Sequence, residues 1–94
     1  MEDREIYQKL VALGFNKSTD DVNINYESIW RWLEKEKSVV IKVGPGFSWE
    51  FQYGDCIYRS SKLCYFQNLK RSVLDAVAQY LLIEESKNNI TTDA

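Results

Sequence analysis

The chain has no histidine, one proline, one methionine and two cysteines among its 94 residues. Without histidine the usual general base is missing, so a Ser-His or Cys-His nucleophile pair and a histidine-bearing metal site are both excluded. There is no GxSxG turn and no phosphate loop. Gly44-Pro45-Gly46 is too short for one and runs into a strand pattern rather than a helix. Glu50 and Asp55 read as solvated carboxylates, and the neighbours Asp55 and Cys56 point to opposite faces of any strand that holds them. The sequence reads as non-enzymatic, with no cofactor and no metal.

Cys56 and Cys64 stand eight positions apart with no CxxC spacing, which reads as two reduced thiols. No apolar run approaches the ~18–20 residues of a membrane span. Met1-Glu2-Asp3-Arg4 does not open a secretory signal. The expectation is a cytoplasmic protein with no membrane partner. A formal net charge of −2 is not the basic excess of a phosphate binder, which disfavours nucleic acid as the main partner.

What is present is ordinary in amount and specific in pattern. Hydrophobic residues make up 45% and charged residues 28%, the composition of a folded domain. From Asp3 to Leu13, Ile6, Leu10 and Leu13 recur at helical spacing, and Gly14 stops the helix at its C′ position. Phe15 is then expected to tuck back onto the helix end. Asn16 to Asn23 is polar and breaker-rich, hence a loop.

Asn25 is an N-cap for a second helix whose stripe is Tyr26, Ile29, Trp30 and Leu33, ending in Glu34 to Lys37. Trp32 lies off that stripe by roughly 60°, at 100° per residue. It either widens the buried face or is exposed. Val39 to Val43 is a β-branched strand with Val39, Ile41 and Val43 on one side and Val40 and Lys42 on the other.

Phe47, Trp49, Phe51 and Tyr53 alternate with Ser48, Glu50 and Gln52. That period predicts one aromatic face, read as the core face, and one polar face. Gly54-Asp55 turns into a third strand, Cys56 to Ser60. A connection carrying Leu63, Tyr65 and Phe66 leads to Asn68, the cap of the last helix. Leu69, Val73, Ala76, Val77, Tyr80, Leu81 and Glu84 follow the helical period through to Glu85, and Leu74, Ala78 and Leu82 broaden the apolar side.

The predicted fold is α+β, in the order α-α-β-β-β-α: a three-stranded antiparallel meander with helices packed on one face. Residues 1–86 form one domain and 87–94 a flexible polar tail.

Two resemblances follow from these stretches. IWRWLEKEKSVVIKV, the tryptophan-bearing hairpin and YFQNLKRSVLDAVAQYLL together resemble uncharacterised small proteins of Bacteroides-type phages and mobile elements, over about residues 5 to 84. Ser72 and Val73 stand where small residues are more usual in that group. The resemblance implies a small accessory protein of a phage or mobile element, acting in the host cytoplasm on a host protein or on itself. An inhibitor of host defence and a regulator are the roles it implies. The topology also resembles double-stranded-RNA-binding domains: Gly44-Pro45 falls at their Gly-Pro-x-His loop, and Lys70 and Arg71 fall where they carry phosphate-binding lysines. Phe47 stands in place of their histidine.

Aromatic and arginine side chains are the common anchors of protein interfaces. Trp30, Arg31 and Trp32 on the second helix are therefore candidate contacts. So are Pro45 and Phe47 at the hairpin tip, and Trp49 and Tyr58 on the strands. A homo-oligomer falls within this reading. The alternatives are a nucleotide-sequestering protein that stacks bases on the rings, or an RNA-binding domain, each using Lys42, Arg59, Lys70 and Arg71 for phosphates.

Overall fold

In the first helix, α1 (Asp3–Ala12), Ile6 and Leu10 bury one apolar stripe. The computed structural model describes residues 2–15, 25–60 and 67–92. The expected loop at 16–23, Cys64, and the apolar residues of the connection before Asn68 lie outside the described residues. Gly14 takes φ +109, and the N–H groups of Gly14 and Phe15 donate to the carbonyls of Val11 and Leu10. That pair of bonds is a Schellman motif, which folds Phe15 back into the core beside Leu10 as expected.

The second helix, α2 (Tyr26–Glu36), begins where Asn25 Oδ1 accepts the N–H groups of Glu27 and Ser28, at 3.1 and 3.2 Å. It ends at Ser38, held at φ 56, where the Val39 N–H reaches back to the Leu33 carbonyl. Ser38 here adopts the conformation that glycine adopts after α1.

Three strands follow: β1 (Val40–Val43), β2 (Trp49–Tyr53) and β3 (Cys56–Arg59). They form an antiparallel sheet in the order β1-β2-β3, with Ile41 opposite Phe51 and Phe51 opposite Tyr58. Val39, Ile41, Trp49 and Phe51 are buried on one face, against the helices. Val40, Lys42, Gln52, Ile57 and Arg59 are exposed on the other. The aromatic alternation is thus the core face from Trp49 onward. Phe47 is a correction: it belongs to a short 3-10 turn, Pro45–Phe47, and its ring is exposed.

Asn68 Oδ1 accepts the Arg71 N–H at 2.9 Å and opens α3 (Leu69–Thr92). Val73, Leu74, Ala76, Val77, Tyr80 and Leu81 are buried across the sheet. Leu82, expected to broaden that side, is 49% exposed, because it falls on the far side of the stripe. The apolar period ends at Glu85, while the helical backbone continues to Thr92.

Two hydrogen bonds set α3 against β2. Trp49 Nε1 donates to Asp75 at 2.7 Å, and the Tyr53 hydroxyl donates to Glu84. Four strand steps and nine helix steps both span about 13 Å, so the two tethers match when α3 runs alongside β2. The whole is α+β with the order α-α-β-β-β-α and the helices on one face of the sheet. No helix among the described residues is long and apolar enough to cross a membrane.

Candidate functional site

Pro45 and Gly46 occupy the second and third positions of a turn closed by the Phe47 N–H donating to the Gly44 carbonyl at 3.1 Å. Proline followed by a glycine at φ 67 is the pattern of a type II turn. The next residue is therefore committed to the turn. A second ring of bonds surrounds it: Gly44 N–H to the Ser48 carbonyl at 2.7 Å, and both Ser48 N–H and Ser48 Oγ to the Pro45 carbonyl.

Phe47 itself sits at φ 58. The left-handed region costs an L-residue with a Cβ roughly 1–2 kcal/mol, and a bulky residue there is an outlier. The buried hydroxyl of Ser72 on α3 donates to the Phe47 carbonyl and fixes that peptide. The ring stays 39% exposed. The loop thus presents an aromatic side chain from a rigid, hydrogen-bonded support.

One helical turn before Ser72, Leu69 enters an open groove of about 290 Å³ shared with Glu27, Trp30, Arg31 and Glu34 of α2. Trp30 is half-buried there. Its Nε1 donates to the Ile41 carbonyl at 2.9 Å, which orients the indole and occupies an outward-facing acceptor on β1. Arg31 is exposed. Trp30 and Arg31 line this groove, Pro45 and Phe47 belong to the hairpin loop, and the first turn of α3 touches both, through Leu69 and Ser72.

The remaining candidates lie elsewhere. Trp32 is half-buried on another side of α2, with its ring 5.4 Å from that of Phe15 and Lys37 Nζ over it. It widens the buried face. Trp49 is buried and bonded to Asp75. Tyr58 stacks on Phe51 at 5.2 Å, and Phe51 on Trp49 at 5.4 Å. Trp49 and Phe51 are buried in the core with α3, and Tyr58 is half-buried against Phe51.

The four basic residues do not converge. Lys42 and Arg59 flank Glu50 in one row on the outer sheet face, and Arg59 Nε bonds Glu50 at 2.6 Å. Lys70 and Arg71 open α3 on the opposite side of the sheet, where Arg71 grips both carboxylate oxygens of Asp3 at 2.7 Å.

Tyr53 on the predicted core face of β2, and Tyr80 and Glu84 on the predicted stripe of α3, form a polar cluster. The hydrogen bond to Glu84, aided by burial, pushes the Tyr53 hydroxyl up to about 12. Tyr80 is raised too, by burial first and then by the Glu84 charge. The tip was legible in principle: a Gly-Pro-Gly turn places the following residue at its closing position, where strand alternation no longer applies.

Comparison of the chain with protein-family models, curated proteins and solved structures found no match.

Proposed function

We propose that this chain is a non-catalytic protein-binding module whose contact surface is the end formed by the Gly44–Ser48 loop and the groove between α2 and α3. The observation that carries this reading is Phe47, a phenylalanine kept exposed in a strained conformation by a hydrogen-bonded loop. Glycine or asparagine would fit that backbone without strain, and a strained residue held by its surroundings points toward a use for its side chain. An aromatic ring presented rigidly loses little entropy on docking, which suits a binding anchor. Arg31 and the half-buried Trp30 supply the neighbouring polar and apolar contacts. The partner is a protein with an apolar pocket for the ring. A host protein is the partner class that the resemblance to small phage proteins implies, and a chain of this kind inhibits or regulates by occupying its partner's surface.

The test compares the wild-type chain with Phe47→Gly for proteins retained from a bacterial lysate, and for binding of duplex RNA and a nucleotide panel, each at two salt concentrations. The variant is expected to unfold at the same or a higher temperature, yet to bind its protein partner roughly thirtyfold more weakly, the loss typical of an anchor worth about 2 kcal/mol. Wild-type binding should change little with salt. Tight binding of duplex RNA or a nucleotide that weakens steeply with salt, is lost in Lys70→Ala and Arg71→Ala and ignores Phe47→Gly would overturn the reading.

A further inference from the structure

The two edges of the sheet are finished differently. On β1 the Trp30 indole N–H caps the Ile41 carbonyl. On β3 the direction of each peptide group follows from one bond: the Ser60 N–H donates to the Trp49 carbonyl at 2.9 Å. Backbone groups alternate sides along a strand, so Trp49, Phe51 and Tyr53 turn theirs toward β3. Cys56 and Tyr58, opposite Tyr53 and Phe51, therefore direct their own toward β2. Ile57 and Arg59 direct N–H and C=O away from the sheet, where no other described strand lies.

Among the described residues this edge lacks the usual protections. It holds no proline, and its register with β2 runs through four consecutive pairs without a bulge. Its one charged residue, Arg59, is bonded to Glu50 within the sheet. Among the described residues Ile57 is the most exposed of the large hydrophobic side chains, at 57%.

We infer that β3 pairs with β3 of a second copy of this chain, antiparallel about a two-fold axis through Tyr58, to make a continuous six-stranded sheet. The edge is complementary to itself in that register. Ile57 and the second copy's Arg59 exchange both backbone hydrogen bonds, and so do the symmetry mates, giving four bonds. On the outer face, each Ile57 lies beside the alkyl stem of an arginine, and no like charges stand directly opposite. On the inner face, Tyr58 meets Tyr58 and extends the Trp49–Phe51–Tyr58 stack across the axis. Four residues of strand bury less than the ~1,200 Å² of a lasting interface, so the dimer is concentration-dependent, with a Kd of roughly 10–500 µM.

This inference rests on backbone direction at β3 and is independent of the Phe47 surface. Sedimentation equilibrium over a wide concentration range reads it. The expected result is a shift of mass from 11.1 kDa toward twice that value. Ile57→Lys places a cation opposite Arg59 and should weaken the dimer about tenfold, whereas Ile57→Glu places a carboxylate there and should tighten it at low salt. Ile57 is exposed, so both variants should keep the wild-type melting behaviour, which thermal unfolding checks. A monomer at every concentration overturns the inference. So does a dimer that both substitutions weaken, or that neither affects.

Discussion

Ser38 at φ 56 and Phe47 at φ 58 share a backbone conformation and differ in what their side chains reach. Ser38 is exposed and ends α2; a glycine would end the helix equally well. Ser38→Gly should therefore raise stability by about 0.5–1 kcal/mol in chemical denaturation, and a loss would mean that the side chain holds the turn. Phe47 displays a ring instead, which is why its replacement is predicted to separate stability from binding. At Tyr53 the contribution is electrostatic. Its hydroxyl is raised in the folded state to about 12, by the bond to Glu84 first and by burial second. A raised folded value means the contribution is complete below pH 10 and is lost as pH climbs from 10 toward 12. Tyr80 and Lys9 are raised as well, the latter through its bond to Glu85, and add to the same alkaline decline. Tyr53→Phe should be about 1–2 kcal/mol less stable at neutral pH and show a shallower decline above pH 10. Urea unfolding across that range checks it; identical slopes would remove Tyr53 from the account.

At the scale of elements, α3 is the organising piece. Leu81 is buried against the sheet, and Leu81→Ala should cost about 2–4 kcal/mol, read as a lower melting temperature. An unchanged temperature would contradict the packing described here. The elements were largely legible because their signals are local: Asn25 and Asn68 as caps, Gly14 as a stop, and alternation from Trp49 to Tyr53. Phe47 escaped because it fits the alternation while belonging to the preceding turn, and turn closure outranks side-chain phase. Leu82 escaped because a 24-residue helix resting on β1, β2 and α1 buries a narrower stripe than its apolar content allows. The site was less legible than the fold. Trp30 lies on the predicted stripe and Trp32 off it, yet both are half-buried, and only the third dimension shows one bonded to β1 and the other against Phe15.

On the scale of the whole molecule, the sheet divides two kinds of surface. One face is filled by helices and locked to α3 through Asp75 and Glu84. The other is open and carries Lys42, Glu50 and Arg59 in one row and Val40, Gln52 and Ile57 in the next. Phe47 stands beyond both, at the tip of the first hairpin, and β3 forms one edge of the sheet, where we infer self-association. These two surfaces use different residues, so partner binding and self-association should respond to different substitutions. The most direct measurement of the central claim is site-specific photocrosslinking in a bacterial lysate, with a photoreactive phenylalanine at position 47 and, as a control, at the exposed position 82. The account predicts a discrete protein adduct at position 47 and none at position 82. Equal labelling at both positions, or an adduct to nucleic acid at position 47, would contradict it.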